Sequence, residues 1–200
     1  MSAISSQAMI LTAPVKSPQS SSSPPPSSIS PSELHGMTLS SVASLTLNPQ
    51  PLLQFNLQVP SITSEKLHDL KIFAFHILPP NNNSVRLARI FSKGINSKPI
   101  KDPISGELIH TKPFMNLSEH EWDLFNFKDK INLPILKNSE KIIICEKFKV
   151  FKIYNHEIWV CSIKDIINNI DIDGEKTGGL LYFNRKFHKI GDSLKEPIDS

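Results

Sequence analysis

Apolar and polar positions alternate most regularly at residues 53–59, where Leu53, Phe55, Leu57 and Val59 enclose Gln54, Asn56 and Gln58. A period of two belongs to a strand with one buried face, so this is the clearest half-buried strand in the chain. Residues 8–13 are a short apolar run and read as a strand. Residues 37–47 are rich in β-branched and small side chains and read as another, closed by Asn48-Pro49-Gln50-Pro51, which forbids helix. Residues 71–78 form a strand that is apolar on both faces except at His76. Two long apolar, β-branched runs at residues 141–154 and 157–167 predict a hairpin turning at Asn155-His156. A last strand, residues 180–190, follows Gly178-Gly179, and the acidic stretch 168–175 reads as a loop.

Helical spacing is confined to two short segments. Residues 84–92 place Leu87, Ala88 and Phe91 on one face, with Ser84 as cap and Gly94 as stop. A second helix is predicted from Ser118, where Ser118-x-x-Glu121 matches a capping box ahead of Trp122 and Leu124. Six or more strands, two short helices and no regular β–α alternation predict a mainly β protein. A closed antiparallel barrel is the favoured architecture, because closure removes exposed sheet edges. No internal repeat is visible.

Composition changes this picture at one place. Residues 17–32 are almost entirely Ser and Pro, too poor in apolar surface to offset their ordering entropy, and are expected to be disordered. The remainder has the composition of a single domain spanning residues 1–200, with residues 15–34 as a Ser/Pro-rich insertion. A net charge of +3, with only Arg86, Arg89 and Arg185 as arginines, points away from nucleic acid. No apolar run is long enough to span a bilayer, and neither a secretory signal nor an Arg-rich transit peptide is visible. Cys145 and Cys161 sit in apolar runs without metal or redox spacing, which predicts buried thiols, no metal site and a reducing compartment, cytoplasmic or mitochondrial.

The chemistry-bearing feature is a cluster of hydroxyls. Thr38, Ser40, Ser41, Ser44 and Thr46 crowd one predicted strand, and Ser61, Thr63 and Ser64 follow the next. On one strand Thr38 and Ser40 would share a face, with Ser41 on the other. Two readings are open from the residues alone: a solvated barrel face that tolerates small polar side chains, or donors that cradle a phosphate beside loop N–H groups. His76 reads as a core histidine. No Ser/His/Asp or paired-carboxylate constellation is evident.

The ordered run His35-Gly36-Met37-Thr38-Leu39-Ser40-Ser41-Val42-Ala43-Ser44-Leu45-Thr46-Leu47-Asn48-Pro49 resembles the signature of flavin reductase-like domains. Pro60-Ser61-Ile62-Thr63 is similar to that family's second flavin contact. Residues 73–78 and Leu87-Ala88-Arg89-Ile90-Phe91 resemble its "F-x-V-N/H-x-L" strand and "LA-x-x-F" helix. Ile144-Cys145-Glu146, Asn155-His156-Glu157 and Leu180-Leu181-Tyr182-Phe183 fall where its "LEC", "GDH" and "L-x-Y" occur. The chain looks like a fungal-type member whose Ser/Pro insertion lies inside the first hairpin. The resemblance also implies a helix ahead of the first strand that this chain does not include.

The resemblance implies an antiparallel split β-barrel that forms a homodimer and binds FMN, with FAD as the alternative, and NADH or NADPH as co-substrate. Thr38, Ser40, Ser41 and Ser44 would line the flavin, Ser61 and Thr63 would hold its phosphate, and His156 would serve nicotinamide binding and hydride delivery. The family's Gly-Asp before that histidine is Tyr154-Asn155 here, which leaves His156 open to a plain turn role. The expected activity is hydride passage from NAD(P)H to flavin. The rival is an FMN-binding structural or assembly factor without turnover. A heme-binding split barrel lacks an evident axial ligand.

Overall fold

The computed structural model describes residues 4–16, 29–93, 100–101, 108–109, 111–128, 131–168 and 177–194. The chain opens with three short strands, β1 (Ser6–Gln7), β2 (Met9–Thr12) and β3 (Val15–Lys16). A 3₁₀ turn at Pro31–Glu33 leads into β4 (Gly36–Leu39), β5 (Ala43–Thr46) and β6 (Leu52–Gln58). Helix α1 (Ile62–Leu70), β7 (Ile72–Ile77) and helix α2 (Asn82–Ser92) follow. Next come the two-residue strands β8 (Ile100–Lys101) and β9 (Leu108–Ile109), then a 3₁₀ turn at Pro113–Asn116. The remainder is β10 (Trp122–Phe127), β11 (Ile131–Leu136), the long pair β12 (Lys141–Ile153) and β13 (His156–Asn168), and β14 (Leu181–Phe183) with β15 (Lys186–His188).

The main sheet has seven strands in the order β4-β2-β7-β12-β13-β6-β5, antiparallel throughout. Its two end strands are consecutive in the chain and joined only by residues 40–42. In a flat sheet the six inter-strand steps of ~4.8 Å would hold those ends ~29 Å apart. The link from Leu39 to Ala43 reaches at most ~15 Å at ~3.8 Å per residue. The sheet must therefore roll up, and the fold is an antiparallel split β-barrel.

Inside the barrel, Phe55, Phe73, Phe75 and Trp159 meet at 5.1–6.1 Å between ring centroids, with Met9, Leu11 and Leu57 around them. Strand β2 buries its other face too, so Ala8 and Ile10 pack beneath Leu87, Ala88 and Phe91 of α2. This two-sided burial explains why residues 8–13 read as an apolar run without alternation. Beside the barrel lie a sheet of β10, β11 and β3 and another of β1, β14 and β15.

Several expectations are corrected. Residues 37–47 are two strands, since the chain bends at residues 40–42 to close the barrel, and Thr38 and Ser40 do not share a strand face. Helix α1 begins within the hydroxyl-rich segment Ser61–Ser64, for which no helix is expected from the sequence. Ser61 caps it, its Oγ accepting from the Ser64 N–H at 3.4 Å, and Lys71 in the left-handed region (φ 64°) ends it where a glycine is usual. Helix α2 is capped by Asn81, not Ser84. Only half of the Ser118–Glu121 box forms: the Ser118 N–H donates to Glu121 Oε2 at 2.9 Å, while the Glu121 N–H bonds the Ser118 carbonyl in a single turn and the Ser118 hydroxyl donates to the carboxylate. Residues 122–127 then run as β10, because Trp122 pairs with Leu136 and Phe127 with Ile131 across β11. The β12–β13 turn is Tyr154-Asn155, with His156 already in the strand. Residues 181–188 are a hairpin, not one strand, turned by Asn184 and Arg185 with φ of 47° and 60°. Most of the Ser/Pro run (residues 17–28), Gly94 and residues 169–175 of the acidic stretch lie outside the described residues.

Close approach fixes one glycine. A Cβ on Gly36 would stand 2.6 Å from the Leu11 carbonyl oxygen and 3.0 Å from the Phe91 ring. That oxygen belongs to the β2–β4 ladder and cannot swing aside as a side chain could. Gly36→Ala is expected to destabilise the protein by about 2 kcal/mol, read as a lower urea midpoint. An unchanged midpoint would contradict the tight β2–β4–α2 packing.

Candidate functional site

Strand β6 organises the candidate residues because it has a neighbour on each edge. On one side β5 sets Ser44 opposite Leu53, and the preceding bend sets Ser41 beside Asn56. On the other side β13 sets His156 opposite Gln58. Beyond its end, Ser61 starts α1, and the Val59 N–H donates to the Asn155 carbonyl at 2.9 Å, tying that end to the β12–β13 turn. Pairing along a single strand thus orders these residues: Ser44 lies near its start, Ser41 further along at Asn56, and His156, Ser61 and Thr63 at its far end.

Their hydroxyls are not equivalent. Thr38 on β4 donates to the Ala88 carbonyl of α2 at 2.7 Å, and so anchors helix to barrel. Ser41 Oγ accepts from the Asn56 N–H at 3.0 Å and pins the bend to β6. Ser40 and Ser44 are exposed. Ser61 is half-buried at the α1 cap and Thr63 is buried in the first turn. Thr38 stands on an end strand and meets the others only through the bend at 40–42. His156 is exposed, its Nδ1 held by Asn155 Oδ1 at 2.9 Å.

The N–H groups of Ile62 and Thr63 open α1 and have no acceptor one turn earlier within the helix. With the helix dipole they give this end of the site a positive character suited to an anion. Ser61 Oγ accepts from the Ser64 N–H and keeps its own proton to donate.

A second cluster, not apparent in the sequence, lies on the inner face next to His156. The Glu157 carboxylate accepts from Ser64 Oγ at 2.6 Å, Trp159 Nε1 at 3.0 Å and His68 Nε2 at 3.0 Å. Lys147 Nζ stands 3.0 Å from His68 Nδ1. An ammonium only donates, so Nδ1 accepts and the His68 proton sits on Nε2, facing Glu157. Burial alone would raise the Glu157 carboxyl, but the bonds from Ser64, His68 and Trp159 outweigh it and hold it below its ordinary value. Although Ser, His and Glu meet here, the carboxylate stands between hydroxyl and imidazole. No base faces Ser64, so the cluster holds structure and does not activate a nucleophile. The signal available beforehand was weak: Ser64 and His68 share a helix face only once α1 is recognised.

The remaining chemistry-bearing groups are quiet. Cys145 and Cys161 are buried free thiols, and contact with Cys161 followed by burial pushes the Cys145 thiol up, which keeps it protonated. Among the described residues no group of three His, Cys, Asp or Glu side chains could hold a metal ion, and no helix is long and apolar enough to cross a membrane.

A family model described as flavin reductase like domain matches residues 1–191. Solved structures agree in fold. A flavin reductase domain protein from an Arthrobacter species superposes with a TM-score of 0.63 at 18% identity, covering 98% of this chain and 94% of that one. The flavin reductase HpaC, solved with NADP+, gives 0.62 at 20% identity over 95% and 93%. The styrene monooxygenase flavin reductase of Pseudomonas putida gives 0.59 at 16% identity over 96% of each chain.

Proposed function

The chain belongs to the flavin reductase-like domain family, and from that premise we propose that it binds FMN and passes hydride from NADH or NADPH to the flavin. The observation that carries this reading is the α1 N-terminus, with Ser61 and Thr63, at the far end of β6 beside the turn that precedes His156, with Ser41 two residues back along the same strand. The donor set fits the group. The Ile62 and Thr63 N–H groups with the Ser61 hydroxyl would hold the phosphate, and one helix end suits the single phosphate of FMN. FAD, which carries the same inner phosphate, is the alternative.

Flavin supplies the redox chemistry when bound. The protein supplies position and polarity. Ser40 and Ser44 offer exposed hydroxyls to the ring and ribityl chain, while Thr38 and Ser41 hold the bend that presents them. His156, with Nδ1 bonded to Asn155, would offer its Nε2 to the nicotinamide. Phe151 and Ile153 are exposed on the outer face of β12, opposite Ile158 and His156, and are the surface through which the chain forms a homodimer. The two free thiols fit a reducing compartment, cytoplasmic or mitochondrial.

One observation favours a second reading, FMN binding without turnover in a structural or assembly factor. Tyr154 stands at the turn where the family has glycine, holds a left-handed φ of 53° and is 94% exposed, two residues before His156. Anaerobic addition of NADH, then NADPH, to the FMN-loaded protein separates the two. Loss of the yellow absorbance is the expected result. A yellow protein that neither nicotinamide bleaches would leave the binding role alone standing, and a protein that takes up no FMN would end both readings.

A further inference from the structure

Glu157 touches α1 at two places one turn apart, Ser64 and His68, and is rooted in the strand residue that follows His156. Lys147, reaching across from β12, leaves the His68 imidazole only one way to bond, with its proton toward the carboxylate. Trp159 contributes the third donor and packs against the same imidazole at 4.5 Å between ring centroids. Three donors therefore converge on a group that only accepts, with the Glu157 side chain 13% exposed. The first turn of α1 has little apolar anchoring, since Leu67 is its only fully buried apolar side chain.

We infer that Glu157 is a positioning residue: through Ser64 and His68 it sets where the α1 N-terminus stands, and thereby the protein's preference for a phosphorylated flavin. The inference rests on the flavin-binding reading above and adds a residue that touches neither ring nor phosphate. Its chemistry makes a sharp demand on the side chain. Glutamine has the same shape but one acceptor oxygen and an NH₂ group. Whichever way its amide turns, a donor meets a donor, and Lys147 prevents His68 from relieving the clash by changing tautomer. The helix end must then shift away from β13.

The test compares FMN with riboflavin, which has the ring and ribityl chain but no phosphate. The full chain, as wild type, Glu157→Gln, Ser64→Ala and His68→Asn, is titrated with each flavin by fluorescence quenching. Wild type should prefer FMN. Glu157→Gln should weaken FMN by about tenfold, the scale of a lost hydrogen-bonded charge, and leave riboflavin within about twofold. The two milder variants should move the preference in the same direction by a smaller factor, and they keep the test informative if Glu157→Gln does not fold. An equal fall for both flavins would mark general loosening and overturn the inference, as would an unchanged FMN preference in the folded variants. Wild type that binds both flavins equally would overturn it while sparing flavin binding. Wild type that binds neither would remove the flavin reading itself.

Discussion

Trp159→Ala is expected to lower unfolding free energy by about 3–5 kcal/mol, a large part of the roughly 5–15 kcal/mol typical of a domain. Trp159 is fully buried in the first third of β13, stacked on Phe55 at 5.8 Å and edge-on to Phe73 at 6.1 Å. The barrel wall around it is hydrogen-bonded strand and closes poorly over a lost indole, so a cavity remains. The change also removes the Nε1 donor from Glu157 and the ring beneath Lys147, whose ammonium lies 5.7 Å from its centroid. Trp159→Phe refills most of the volume without the donor, and is expected to fall between wild type and Ala. Urea unfolding followed by far-UV circular dichroism reads both. If Ala were no more damaging than Phe, Trp159 would not be a keystone of the barrel interior.

The second large effect is acid sensitivity arising at His76. Burial lowers its pKa from 6.5 to about 4, while the bond between Nδ1 and the Ile10 carbonyl at 3.0 Å works weakly the other way. In the unfolded chain the imidazole takes its proton near 6.5, so between those values the unfolded state binds more protons. The stabilisation is complete above pH 6.5 and is lost as pH falls through 4, in total about 3 kcal/mol. Glu157 has the same sign, its folded pKa lying below the ordinary 4.5, but its contribution is lost only at more acid pH. The two windows therefore separate. Urea midpoints at pH 7, 6 and 5 should decline in wild type and stay nearly level in His76→Asn, whose amide can still donate to the Ile10 carbonyl. A parallel decline in both proteins would place the sensitivity elsewhere.

Much of the barrel was legible along the chain. Leu53, Phe55 and Leu57 alternate because β6 has one face in the aromatic cluster and the other toward solvent. The long runs that became β12 and β13 were plain from their β-branched content. Where reading failed, a local signal had more than one solution. The Ser118–Glu121 pair makes the same turn whether a helix or a strand follows, and β11 decided for a strand. Helix α1 was missed because Ser61, Thr63 and Ser64 look like turn residues and Leu67 is its one fully buried apolar anchor. Its missing hold comes from Glu157, 93 residues beyond Ser64.

Taken by itself, the sequence determined the mainly β class, the positions of most strands, and the hydroxyl-rich segments that surround the candidate site. Those properties follow from periodicity and conformational preference, which act within a few residues. Only the tertiary structure decided that β4 and β5 are the two ends of one sheet closed by residues 40–42, and that β6 carries Ser44 on one edge and His156 on the other. It alone assigned Thr38 and Ser41 to holding the frame, and joined Ser64, His68, Lys147 and Glu157 into one network. Such contacts depend on strand order and register, which are settled by burying the whole core at once and which no local window contains.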